Sequence, residues 1–242
     1  MTYIPALDGV RALAVIAVVA FHCGIPAARG GMVGVDLFFV LSGYLITTIL
    51  RRELLKTGKI SLAGFYWSRM LRLWPPLILF LVFYYWLGAF LFPGIEVLPQ
   101  IGIAALYLTD YSMAIWRSPA ELGHTWSLSV EEHFYLVWPL FLLTTRSLTD
   151  RRLAQMLAIG FVLATAWRMI DGLTWNNWFW SYYRFDTRMS GLMIGSLLAV
   201  IPWRPGATAA SSIGLYSLGI LILALVLFRI GTMASLIWGG LI

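Results

Sequence analysis

Apolar runs at roughly 9–25, 35–50, 73–92, 101–116, 126–145, 153–170, 188–202 and 212–230 divide the chain, each near the 17–25 residues that a membrane helix requires. In lipid the backbone of such a run must satisfy its own hydrogen bonds, so the runs predict about eight α-helices. Only 12% of the 242 residues are charged and 60% are hydrophobic. A soluble domain carries about one quarter charged residues, so this chain cannot coat a water-facing surface. The expected fold is all-α, a polytopic membrane helix bundle forming one domain over 1–242. The first two runs are short for full spans and are expected to pack inside the bundle. A further apolar stretch opens at Met233 and stops with the chain, so the sequence reads as truncated at its C-terminus.

The formal net charge of +6 does not point to nucleic acid, because the Lys and Arg sit in short blocks between runs, where positive charge marks the cytoplasmic side. Arg51, Arg52, Lys56, Lys59, Arg69 and Arg72 face one acid, Glu53, between runs two and three. That loop and the N-terminus are therefore expected in the cytoplasm, with Pro75 and Pro76 opening the third helix, where proline costs least. The segment R-S-L-T-D-R-R at 146–152 is also basic. Three runs lie between the two basic loops, and an odd number of crossings cannot return the chain to one side. The shortest of them, 101–116, carries Tyr107, Thr109 and Asp110 in its second half. It is expected to be re-entrant and to lie beside a cavity, where irregular backbone is tolerated. The segment W-N-N-W-F-W-S-Y-Y-R at 175–184 reads as an interfacial aromatic belt. The single cysteine, Cys23, rules out an internal disulfide or a cysteine metal cluster. No A-x-A-like cleavage site follows the first run, which reads as a retained helix.

Ionisable groups are costly in such a setting and mark candidate sites. Asp8, Arg11, His22 and Asp36 stand in or beside the first two runs. Arg11 and His22 are eleven residues apart, which places both on one helix face, ~16 Å apart along the axis. A neutral imidazole suits proton abstraction from a hydroxyl; a histidine satisfied by a carbonyl is the structural alternative. Arg11 suits an anion or a carboxylate, with a local pair to Asp8 as its alternative. Cys23 projects about 100° from His22 and reads as packing. Asp36, after the glycine loop R-G-G-M-V-G-V, either caps the next helix or borders a ligand. Ser42 in L-S-G-Y reads as bonded to its own helix. Arg69 and Arg72, beside Trp67 and Trp74, suit a phosphate grip at the cytoplasmic mouth or a positive-inside anchor. Of Glu131, Glu132 and His133 at the head of an apolar helix, capping accounts for Glu131, and Glu132 is free to share a face with a site. The histidines His22, His124 and His133 lack ligand spacing, so no metal is expected. Arg184, Asp186 and Arg188 read as a salt-bridged helix entry.

Five strings occur in order: L-D-G-V-R-A with Arg11 and His22 spaced R-x10-H, G-V-D-L-F-F-V-L-S-G-Y-L-I, F-Y-W-S-R-M-L-R-L-W-P, H-T-W-S-L-S-V-E-E-H-F-Y-L-V-W-P and R-F-D-T-R-M-S-G-L-M-I-G. Together they resemble the acyltransferase 3 family of integral membrane acyltransferases, which includes bacterial O-acetylases of lipopolysaccharide and other glycans. The resemblance implies about ten helices in the bacterial inner membrane, no permanently bound cofactor, and acyl-coenzyme A as co-substrate on the cytoplasmic side. It implies transfer to a hydroxyl of a glycan or lipid-linked saccharide, with His22 catalytic, Arg11 its partner, and Arg69 and Arg72 near the donor. On that reading His22 is a general base or a transient acyl carrier, Arg11 steadies developing charge, and a carboxylate, Asp36 or Glu132, orients the imidazole. His133 stands where the family commonly has glutamine, and the chain stops before the family's last helices. The rival readings are a proton-coupled transporter, for which no internal repeat is found, and a non-catalytic truncated homologue.

Overall fold

The computed structural model describes residues 5–175 and 177–201. Among them nine α-helices follow in order: α1 Pro5–His22, α2 Val33–Thr57, α3 Leu62–Leu91, α4 Val97–Ala105, α5 Thr109–Trp116, α6 Trp126–Thr144, α7 Asp150–Trp175, α8 Trp178–Tyr183 and α9 Phe185–Val200. No strand occurs among the described residues, as an all-α bundle requires. Three helices, α2, α3 and α7, are long and apolar enough to cross a membrane. The run at 212–230 and the stretch from Met233 lie outside the described residues.

Two helix boundaries differ from the sequence expectation. The third helix opens at Leu62 and not at the prolines, because Ser61 caps it: its Oγ accepts from Gly64 N at 3.3 Å. Much of the basic loop is therefore helix, and Pro75 and Pro76 lie inside α3. The run at 101–116 breaks into α4 and α5, 9 and 8 residues long. At ~1.5 Å per residue neither crosses a ~30 Å hydrocarbon core. Tyr107, with φ 54°, turns the chain between them.

That break bears on how the chain runs between the two basic loops. Arg51, at the end of α2, holds Asp150, at the start of α7: Nη2 to Oδ1 is 2.6 Å, and the same nitrogen reaches Leu148 O at 3.4 Å. The two basic loops thus share one end of the bundle. Between them α3 leads away and α6 returns. Tyr66 in the first half of α3 bonds Leu136 O in the second half of α6, and the ring of Phe80, farther along α3, meets His124 just before α6. Two helices this short with a turn between them are what a re-entrant 101–116 requires.

The core lies where α2, α6, α7 and α9 converge, with Phe39, Leu50, Val130, Leu153, Leu157 and Leu192 wholly buried. The second helix is buried along much of its length as expected; α1 is packed on one side only, through Ala14 and Ala17, while Val15, Ile16 and Val19 face outward.

Candidate functional site

The first helix carries Asp8, Arg11 and His22. Asp8 Oδ1 accepts from Arg11 Nη1 at 3.3 Å, the local pair weighed for both. The Arg11 charge also acts on Glu131 of α6, as does that of Arg72 on α3. One end of the polar face therefore lies within electrostatic reach of a carboxylate on another helix.

Glu131 ties α6 to α2. Ser42 Oγ donates to its Oε1 at 2.9 Å and Tyr135 Oη to its Oε2 at 2.7 Å, while Tyr135 Oη lies 3.3 Å from Ser42 Oγ. The capping expectation for Glu131 is overturned: α6 begins at Trp126, so Glu131 lies beyond the first turn. The expectation for Ser42 fails too, because its hydroxyl reaches across to α6 instead of bonding its own helix. Sequence reasoning missed this triad. The available signal was the i, i+4 spacing of Glu131 and Tyr135, which stacks them on one helix face.

At the far end of the same face, His22 is exposed and its Nδ1–H donates to Val18 O at 2.8 Å. A carbonyl can only accept, so in the neutral ring the proton is on Nδ1 and Nε2 carries the free lone pair. The expectation that Asp36 or Glu132 orients this imidazole is not met; a backbone carbonyl does so. The ring sits edge-on to Phe21 and near His124. Desolvation, then the nearby His22 charge, hold the His124 pKa below its ordinary value.

Asp36 is engaged elsewhere. Its Oδ1 accepts from Arg188 Nη1 at 3.0 Å, joining α2 to α9. Arg184 is held by Asp171 at 3.1 Å and by Asp186, and Trp167 Nε1 donates to Asp186 Oδ2 at 2.7 Å. The helix entry at 184–188 is salt-bridged as the sequence suggests, to partners on α2 and α7.

Arg69 and Glu132 meet at a cavity of about 640 Å³ between α3, the α4–α5 link and α6. The Arg69 guanidinium lies over the rings of Phe65 and Tyr135, at 5.7 and 5.8 Å. Arg72 is exposed nearby on α3. Tyr107, Glu132 and His133 form the facing wall. Behind it, His133 Nδ1 approaches the fully buried Asp110 to 3.1 Å. Thus Arg69 and Glu132 line one cavity with Arg72 nearby on α3, whereas His22 stands about three turns of α1 beyond Arg11 and Asp36 belongs to the α2–α9 seam.

The model of the family described as "Acyltransferase domain" matches residues 4–241. Peptidoglycan O-acetyltransferase OatA of Listeria monocytogenes serovar 1/2a is 36% identical over 213 residues, 82% of this chain and 34% of that protein. O-acetyltransferase OatA of Staphylococcus aureus (strain NCTC 8325 / PS 47) is 36% identical over 221 residues, 85% of this chain and 36% of that protein. The chain spans about a third of the length of the curated relatives it matches. No solved structure matches it.

Proposed function

The chain belongs to the acyltransferase 3 family, and from that membership and the polar face of α1 we propose that it is a membrane acyltransferase. It moves an acyl group, in the first instance acetyl, from acyl-coenzyme A to a hydroxyl of a cell-surface glycan. Peptidoglycan is the acceptor class favoured by the names of the relatives. The basic end of the bundle faces the cytoplasm, by the rule that retains positive charge there. Arg69 and Arg72 hold the donor's phosphates at that end, where guanidinium forks suit phosphate oxygens.

The observation that carries the reading is the His22 tautomer. With Nδ1–H committed to Val18 O, Nε2 is left basic and points its lone pair away from the helix backbone. It can take the proton of an acceptor hydroxyl as oxygen attacks the thioester carbon, the sulfur leaving with the C–S electron pair. Alternatively it can attack that carbon itself and pass the acyl group on. Arg11, in register on the same face, supplies positive charge toward the Glu131 triad at the donor end.

Incubating labelled acetyl-coenzyme A with membranes carrying the protein, and identifying the species that acquires label, tests the reaction. His22→Ala is expected to lower transfer by about 10²-fold or more, the scale of a positioned acid–base group. Near-wild-type labelling by that variant at unchanged protein level would remove His22 from the mechanism.

A further inference from the structure

The cavity at Arg69 has polar walls that the protein itself leaves unmet. Tyr107 is 8% exposed and its hydroxyl has no hydrogen-bond partner; Arg69 Nε and Glu132 Oε1 are buried and equally without one. All three residues line the same cavity of about 640 Å³, a volume ordinary for a small-molecule site. Tyr107 is presented there from a left-handed backbone, φ 54°, a conformation unfavourable for a residue with a side chain and concentrated at functional sites. Buried polar atoms without partners are costly and rare. Three such atoms on residues that line one cavity describe the complement of a ligand.

The three differ in kind. Arg69 Nε only donates, the Glu132 carboxylate only accepts, and the Tyr107 hydroxyl does either. A phosphate alone would satisfy Arg69 and leave Glu132 without a donor, and a hydrocarbon chain would leave every group unsatisfied. A secondary amide offers one acceptor and one donor side by side. The remaining wall, with Tyr66, Trp67, Trp74 and Leu136, suits the methylenes between amides. Shape argues the same way. Arg69 and Phe80 are eleven residues apart on α3, ~16 Å along its axis, and Phe80 meets His124 beside His22. A donor gripped at Arg69 and reacting at His22 must bridge that length with an extended arm.

We propose that this cavity receives the amide-bearing arm of the acyl donor, the pantetheine portion of coenzyme A. An arm amide N–H donates to Glu132 Oε1, and arm carbonyls accept from Tyr107 Oη and Arg69 Nε. This rests on acyl-coenzyme A being the donor, and it makes Tyr107 and Glu132 positioning residues for it.

The test is equilibrium binding of coenzyme A to the purified protein, beside adenosine 3′,5′-bisphosphate, which keeps phosphates but has no arm. Tyr107→Phe, which removes only the hydroxyl, is expected to weaken coenzyme A binding about three- to tenfold, the scale of one hydrogen bond, and to leave the bisphosphate unchanged. Unchanged coenzyme A binding, or equal weakening of both ligands, would overturn the assignment. A second arm needs no variant: coenzyme A with both arm amides replaced by esters should bind the unaltered protein several-fold more weakly than coenzyme A. Equal binding would remove the Glu132 contact. Protein that binds no coenzyme A at all defeats the donor reading itself, whereas binding indifferent to both changes defeats only the arm's seat.

Discussion

Arg188 is 2% exposed, and its guanidinium is shared between Asp36 at 3.0 Å and the faces of Tyr182 and Trp126 at 3.9 and 5.2 Å. Removing Asp36, whose side chain is 39% exposed, takes the carboxylate from a buried guanidinium and costs less than the roughly 3–5 kcal/mol of a wholly buried pair. Asp36→Ala is therefore expected to lower the thermal unfolding temperature of the purified protein, with Asp36→Asn recovering part of the loss through its retained acceptor. Lost turnover at unchanged unfolding temperature would instead return Asp36 to the chemistry. Arg69 and Arg72 invite the opposite readout. Arg69→Ala should raise the KM for the acyl donor tenfold or more, on the scale of a charge-assisted hydrogen bond of about 1.5–3 kcal/mol, and leave the acceptor KM near its original value. An unchanged donor KM would end the phosphate-grip role. At this scale the sequence was readable where the relation is local. The shared face of Arg11 and His22 follows from 100° per residue, but the Ser42–Glu131 bond joins positions 89 residues apart. No helical periodicity encodes that pairing.

Helix elements were legible in number and type, and less so in their ends and their contacts. Apolar run length predicts α2, α3 and α7, but the start of α3 was hidden because one serine cap at Ser61 outweighs the pull of two prolines. What holds α2 against α9 was not visible either. A Cβ added at Gly43 would lie 2.1 Å from Leu192 O, and one at Gly195 would lie 2.0 Å from Val40 O. The two backbones approach through their glycines, the means by which membrane helices gain packing without a hydrophobic drive. Ser196 Oγ bonds Leu192 O at 2.8 Å and lies 3.4 Å from Gly43 O in the same seam. Gly195→Ala should therefore force the helices apart and destabilise the fold by about 1–3 kcal/mol, the cost of overpacking. The fall should appear in thermal unfolding in detergent, together with loss of the Asp36–Arg188 pair. Unfolding at the wild-type temperature would mean that the crossing is looser than its geometry.

On the scale of the whole molecule, the placement of the reaction depends on which end faces which side. The Arg51–Asp150 pair puts both basic loops at one end, and with α4 and α5 too short to cross, the chain leaves through α3 and returns through α6. His22 then belongs to the opposite end from Arg51, and so does its neighbour Cys23, which is exposed and is the single cysteine of the chain. On the proposed reading, with the basic end in the cytoplasm by the positive-inside rule, donor capture and the imidazole take opposite depths. A membrane-impermeant maleimide added to intact cells is expected to label Cys23. Ser147→Cys in a Cys23→Ser background, at an exposed position of the second basic loop, should be labelled only after permeabilisation. The reverse pattern would invert the orientation and with it the side from which Arg69 meets its ligand. Labelling of both positions in intact cells would break the even crossing count and require 101–116 to span after all.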